Sequence, residues 1–280
     1  NVCFLNSVVQ FLYCKPAIRQ FIASSPLRSN AVVALKNLFE IIRDSNDTVL
    51  ETPTSMFVHE LTNSNYVYPT QHDAHECLAF IINALYPESH LHPERNSDCI
   101  FGIKIVTSIK CCSCDELINK IDNSTILSLN VENTTHSLTI QNMLQHSMQT
   151  EENSQYRCEE CHSDRIEKST TIEKVSDFMI IQLSIFQYVA PQPPNPGYIK
   201  KVIPKLIIDE QINIFEMSMT LCGVIYHQGD QSDCGHYTAA IRNNDKWYYT
   251  NDSSVSEGKK LTCRVNDEIV PYILMYEKNG

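Results

Sequence analysis

Apolar positions in the first part of the chain recur at helical spacing. In "CFLNSVVQFL" Phe4, Leu5, Val8, Val9, Phe11 and Leu12 fall on one broad face, and Pro16 interrupts the pattern soon after. "AVVALKNLFEIIRD" repeats the spacing through Val32, Leu35, Leu38, Phe39 and Ile42, and "DAHECLAFIINAL" predicts a third helix. Thr70 with Asp73 three residues later resembles a capping box at that helix's start, and the helices are expected to end near Pro87. From there the period shortens. β-branched and alternating runs predict strands in "CIFGIKIVTSIKC", "TILSLNV", "FMIIQLSIF", "KKVIPKLII", "CGVIYHQ", "HYTAAIR", "KWYYTN" and "YILMYEK". "PQPPNPG" (191–197) is too proline-rich for a sheet interior and reads as a loop. Helices first and strands later predict an α+β fold.

Composition narrows the partners. A chain of 280 residues with 42% apolar content can bury a sizeable core in one large domain or two ordinary ones. Its formal charge of −11 argues against nucleic acid, which needs a basic footprint, and would attract a basic polypeptide. No apolar run approaches the roughly 20 residues that span a bilayer, and the first residues lack the order of a signal peptide. The expectation is a soluble intracellular protein, cytoplasmic and/or nuclear, with no membrane contact.

Twelve cysteines in a chain this long point to metal binding more than to a disulfide framework, because four of them form two C-x-x-C pairs. These are Cys111 and Cys114, and Cys158 and Cys161. Each pair can set two thiolates on one side of a tight turn, and two such turns complete a closed tetrahedral zinc site of structural type. Cys112 lies inside the first turn and competes as a ligand. The zinc-bearing segment would then sit between the helices and the later strands.

Cys3 stands where the first helix begins, and free N–H groups and the helix dipole at such an end favour a thiolate and lower a thiol pKa. A free cysteine is also often a small buried hydrophobe. In "HQGDQSDCGHYTAAIRNNDKWYYTND" (227–252), His236 heads a strand that a polar turn folds onto "KWYYTN". If Arg242 pairs with Lys246 around a three-residue turn, His236 lies opposite Asp252. If Asn243 pairs with Lys246, Asn251 lies opposite Thr238, diagonal to His236 on the same face. The residues alone permit both registers.

"NVCFLNSVVQFL" resembles the cysteine box of the ubiquitin-specific proteases, a papain-like family of deubiquitinating enzymes. "QHDAHECL" is similar to that family's Q-x-D-A-x-E-x-L segment, and "HQGDQSDCGHYTAAIRNNDKWYYTNDSSV" to its histidine box. The two C-x-x-C pairs fall between these boxes, as the family's zinc-bearing fingers do. Four matches in order cover nearly the whole chain.

The resemblance implies one papain-like catalytic domain over 1–280, with a helical thumb at about 1–95, β fingers carrying one structural zinc at 96–175, and a β palm with the histidine box at 176–280. It implies Cys3 as nucleophile, His236 as general base and Asn251 as the residue that orients the imidazole, with Asp252 its acidic neighbour. Gln71, Asp73 and Glu76 match residues that hold ubiquitin's arginine-bearing tail, a role that suits the two carboxylates, and Gly235 and Tyr237 match the cleft beside its terminal glycines. A capped, solvated helix start is the other reading of Asp73 and Glu76. The implied reaction is hydrolysis of the isopeptide bond after the last glycine of ubiquitin by a monomeric enzyme. The alternatives are a silent ubiquitin-binding scaffold and an isopeptidase for another ubiquitin-like modifier.

Two departures from the family stand out. The family places an asparagine a few residues before the nucleophile, whereas Asn1 is at the wrong offset, so the chain reads as truncated and its oxyanion donors as incomplete. In "QLSIF" (182–186), Ser184 and Ile185 stand where the family commonly has Lys-Arg, removing two positive charges expected on the palm.

Overall fold

The computed structural model describes residues 2–26, 29–44, 71–86, 99–131, 137–152, 156–191, 196–231, 234–258 and 269–280. Its helices are α1 (Cys3–Tyr13), α2 (Pro16–Ser24), α3 (Asn30–Asp44), α4 (Ala74–Leu85) and α5 (Ile140–Ser147). The first strands are β1 (Ile103–Cys111), β2 (Leu117–Ser124), β3 (Ile126–Asn130), β4 (Leu138–Thr139), β5 (Glu151–Glu152), β6 (Ile166–Val175), β7 (Phe178–Ser184) and β8 (Phe186–Val189). The rest are β9 (Tyr198–Lys201), β10 (Leu206–Ile207), β11 (Gln211–Ile214), β12 (Met217–Gln231), β13 (Cys234–Asn243), β14 (Lys246–Asn251), β15 (Ser254–Glu257) and β16 (Ile269–Lys278).

The main sheet runs β15-β14-β13-β12-β16-β7-β3, with β11 also on β12, and only its β3–β7 pair is parallel. Helix α1 packs across β13 and β12. All six apolar positions of its expected face are buried, each burial stabilising by roughly 1.5–3 kcal/mol before ordering costs. Gly223 of β12 permits the approach, because a Cβ there would lie 2.9 Å from the Phe11 ring. Cys3 is thereby pinned at the helix end nearest the histidine hairpin. Pro16 takes the first turn of α2, where its missing N–H costs nothing, and Lys15 beside it pairs with Glu277 of β16 at 2.6 Å.

A second sheet has the order β2-β1-β6-β5. Its β2 and β6 carry mixed polar side chains that are mostly half-buried or exposed on both faces, so neither strand alternates clearly in the sequence. Helix α5 is a further element absent from the sequence reading. Its start is a Thr139 cap whose Oγ1 accepts from Asn142 N at 3.0 Å. "KKVIPKLII" divides at Pro204 into the ends of β9 and β10 rather than forming one strand. Thr70, Pro87 and residues 192–195 lie outside the described residues, and the cap of α4 is Asp73 itself, whose Oδ1 accepts from His75 N and Glu76 N at 2.6 and 3.2 Å.

The expected loss of surface charge at Ser184 and Ile185 takes another form. Ile185 is fully buried between β7 and β8 and Ser184 is half-buried, so position 185 serves the core.

Candidate active site

The hairpin β13–β14 settles its own register through its turn. Asn243 pairs with Lys246, and the two residues between, Asn244 and Asp245, have φ of 46° and 63°. Asn and Asp tolerate that left-handed geometry, and a two-residue turn of this kind matches the strand twist better than a three-residue loop. Pairing extends to Ala239 and Thr250, so Asn251 comes opposite Thr238 and diagonal to His236. His236 Nε2 lies 2.7 Å from Asn251 Oδ1. An amide oxygen only accepts, so Nε2 carries the proton in this assignment and Nδ1 keeps its lone pair.

Asp252 turns away from this pair. It takes φ 47° in the tight turn that brings Ser254 opposite Asn251, and its Oδ1 accepts from Asn6 Nδ2 at 2.9 Å. That bond ties the turn to helix α1.

The backbone beside His236 is linked to Cys3 through Gln71. Gln71 Nε2 donates to Cys3 Sγ at 3.3 Å and also to the Gly235 carbonyl, while Gly235 N donates to Gln71 Oε1 at 3.3 Å. On the other side, the Tyr237 backbone N–H acts to lower the Cys3 pKa. Gly235 has no room for a side chain, since a Cβ would stand 2.6 Å from His227 Nε2 and closer still to the Gln228 carbonyl oxygen. Cys3, expected to be acidified by its helix end, instead has its pKa raised above 9.0. Burial of a thiol only 4% exposed outweighs the N–H donors, and the Asp252 charge adds to the rise. Burial therefore favours the thiol over the thiolate, and a base is called for.

Asp73 and Glu76 occupy different environments. Asp73 is buried, and beyond its two cap bonds its Oδ2 accepts from Tyr272 OH at 2.8 Å and Tyr237 OH at 3.4 Å. The Tyr237 ring is fully buried against His227, leaving its backbone as the part that faces Cys3. Glu76 is exposed in the first turn of α4, open to a cationic partner. His227, at the head of the histidine box, is a buried residue that sequence reasoning passed over. Among the described residues its two ring nitrogens find no hydrogen-bond partner, and burial followed by the Lys201 charge lowers its pKa to about 3. It packs as a neutral ring between Phe186 and Tyr237.

The cysteine pairs meet at the outer end of β1 and β6. Cys111 and Cys161 sulfurs are 3.5 Å apart, Cys114 and Cys158 sulfurs 3.6 Å, and all four lie within 4.8 Å of one another. A tetrahedron of zinc–sulfur bonds places sulfurs about 3.8 Å apart, so this donor set fits such an ion. The turns are alike: Asp115 and His162, each the residue after a pair, both have φ 60° and donate N–H to the Cys111 and Cys158 carbonyls. The Ser113 N–H, 3.4 Å from Cys111 Sγ, is the main cause that lowers this thiol to about 6. Cys112 is outside the quartet.

The sequence model of the family described as ubiquitin carboxyl-terminal hydrolase matches residues 1–276. The chain is 25% identical to "Ubiquitin carboxyl-terminal hydrolase 12" of Salmo salar, with 100% of this chain and 85% of that protein covered. It is 27% identical to "Ubiquitin carboxyl-terminal hydrolase 25" of Arabidopsis thaliana, covering 91% of this chain but 43% of that longer protein. Among solved structures, the Ubp8/Sgf11/Sus1/Sgf73 module of SAGA bound to ubiquitin aldehyde contains a chain that superposes with TM-score 0.81 at 21% identity, covering 100% of this chain and 68% of that one. The family resembled by the cysteine and histidine boxes is thus the family matched along the chain, and this α+β protein belongs to the ubiquitin carboxyl-terminal hydrolases, the cysteine-type deubiquitinating enzymes.

Proposed function

We propose that this chain hydrolyses the isopeptide bond after the C-terminal glycine of ubiquitin on protein conjugates, with Cys3 as nucleophile, His236 as base and Asn251 holding the ring. The observation that carries this reading is the link from Cys3 through the Gln71 amide to Gly235, the residue before His236, whose ring Asn251 holds from the other side. Nδ1 of His236 takes the Cys3 proton as sulfur attacks the glycine carbonyl carbon. The imidazolium returns that proton to the lysine nitrogen as the C–N bond breaks, leaving a thioester. Nδ1 then deprotonates a water that attacks the thioester, the C–S bond breaks, and the proton goes back to sulfur. N–H groups at the start of α1 and the Gln71 amide, both beside the sulfur, are the donors available to the oxyanion.

All these groups come from one chain, which supports action as a monomer. Within it 1–95 act as thumb, 96–175 as fingers and 176–280 as palm, and Cys111, Cys114, Cys158 and Cys161 hold one structural zinc whose role is to fasten the fingers. Among the described residues no helix is long and apolar enough to cross a membrane. The described cysteines are all unpaired, which fits a reducing intracellular compartment.

A ubiquitin probe with a C-terminal electrophile tests the reading. One adduct should form, on Cys3, and disappear in Cys3→Ala. Mapping to another cysteine, or faster reaction of the matching probe for another modifier, would overturn the nucleophile or the substrate respectively. The two acidic residues of α4 should separate in the same assay. Glu76→Gln should raise KM for ubiquitin conjugates a few-fold at low salt and less at high salt, as expected for a screened contact with a tail arginine. Asp73→Asn should instead lower kcat and thermal stability together, because it weakens a buried node. Equal kinetics for Glu76→Gln and wild type at every ionic strength would remove Glu76 from substrate binding.

A further inference from the structure

The outer end of the fingers sheet has a small core of its own. Ile109 and Ile166 are buried there beside two of the metal-site cysteines, with Ile118 and Tyr156 packed against them. A cavity of about 100 Å³ opens onto this core, lined by Cys111, Cys158 and Tyr156 as well as the isoleucines, and the acidic part of its wall is Glu116, Glu159 and Glu160. No lysine or arginine lines it. All three glutamates are exposed, and none forms an ion pair among the described residues.

We infer that this cavity is a docking socket for an arginine side chain presented by a protein partner. Its volume is well below the roughly 300–1,000 Å³ of small-molecule sites, and it suits one side chain carried by a larger surface. The isoleucine floor suits a methylene stem, and three unpaired carboxylates around the opening suit a cation. Tyr156 favours guanidinium over ammonium, because the planar group stacks on an aromatic face and forks onto a carboxylate, and it gives up its hydration more readily in a half-apolar site. Four thiolates around a divalent ion carry net negative charge, so a filled cysteine site next to the floor strengthens the attraction. The net charge of −11 acts at longer range in the same direction. None of these residues takes part in the proposed hydrolysis, so the surface is free to recruit a partner while the cleft turns over.

The test is an NMR titration of the metal-loaded, isotope-labelled protein with N-acetyl-arginine amide, beside the lysine and citrulline analogues. Saturable shifts are expected at the amides of residues 116–118 and 156–166, in the millimolar range of a single-side-chain contact. Citrulline, which keeps the shape without the charge, should bind at least about fivefold more weakly, the equivalent of roughly 1 kcal/mol. Glu159→Gln/Glu160→Gln should weaken arginine binding similarly with zinc content unchanged. Glu116→Gln, outside both cysteine pairs, supplies the same reading if the double variant loses its metal. Absence of saturable shifts, shifts spread over the whole acidic surface, equal binding of citrulline, lysine binding as tightly as arginine, or indifference to removing the carboxylates would each overturn the socket.

Discussion

Turnover of ubiquitin conjugates should fall on the order of a thousandfold or more in His236→Ala, at least about tenfold in Asn251→Ala, and by less in Asp252→Ala. The order follows from what each side chain touches. His236 is the base in the proposed mechanism, and burial raises the pKa of the sulfur it would deprotonate, so its loss removes the proposed route to the thiolate. Asn251 accepts from Nε2 at 2.7 Å and thereby holds Nδ1 unprotonated and aimed, a bond worth roughly 1.4 kcal/mol or more in the barrier if its loss costs tenfold. Asp252 instead holds Asn6 and shapes the turn. Asp252 also acts at a distance, since its charge raises the Cys3 pKa after the larger effect of burial. Asp252→Asn keeps an acceptor for Asn6 and removes the charge, so the pH at which Cys3 is half-alkylated by iodoacetamide should move down. A larger turnover loss in Asp252→Ala than in Asn251→Ala, with Asn251→Ala near wild type, would make Asp252 the residue that orients His236.

How far such a site was legible in the sequence varied with the physics behind each part. Helix α1 was legible because one face is buried and the other is not, so period and packing agree. The Asn251 register was not legible from pattern alone, as both pairings keep alternation. What decided it was a backbone property, the ability of Asn244 and Asp245 to sit at positive φ. The fingers strands β2 and β6 escaped because neither has a dry face to impose a period. The Cys3 pKa went against expectation for a related reason. A helix end is visible in sequence, whereas the burial that outweighs it comes from β13 and Gln71, residues far away along the chain. Asp73 likewise was read from its neighbours at the helix start, while Tyr237 and Tyr272, distant in sequence, complete its hydrogen bonds.

Cys158→Ser should abolish the proposed zinc binding and unfold the fingers sheet with it. Among the described residues the buried core at the outer end of that sheet is Ile109, Cys111, Cys158 and Ile166, with Ile118 and Tyr156 packed against it, and two of those four belong to the quartet proposed to hold the metal. So little apolar burial cannot offset the ordering of two turns and four strands, and structural zinc in small domains contributes about 10–16 kcal/mol of apparent binding free energy near neutral pH. Serine removes a thiolate from a site with no spare donor, because Cys112 stands outside the quartet. Elemental analysis should give one zinc per wild-type chain and none for Cys158→Ser or Cys111→Ser. Amides of β1, β2 and β6 should lose hydrogen-exchange protection while those of β12, β13 and β16, in the main core, retain it. Cys112→Ser is the control that should keep both metal and protection. A folded, protected fingers sheet in metal-free Cys158→Ser protein would show that strand pairing alone holds it, and the cysteine quartet would then lose its structural role without any change to the reading of Cys3, His236 and Asn251.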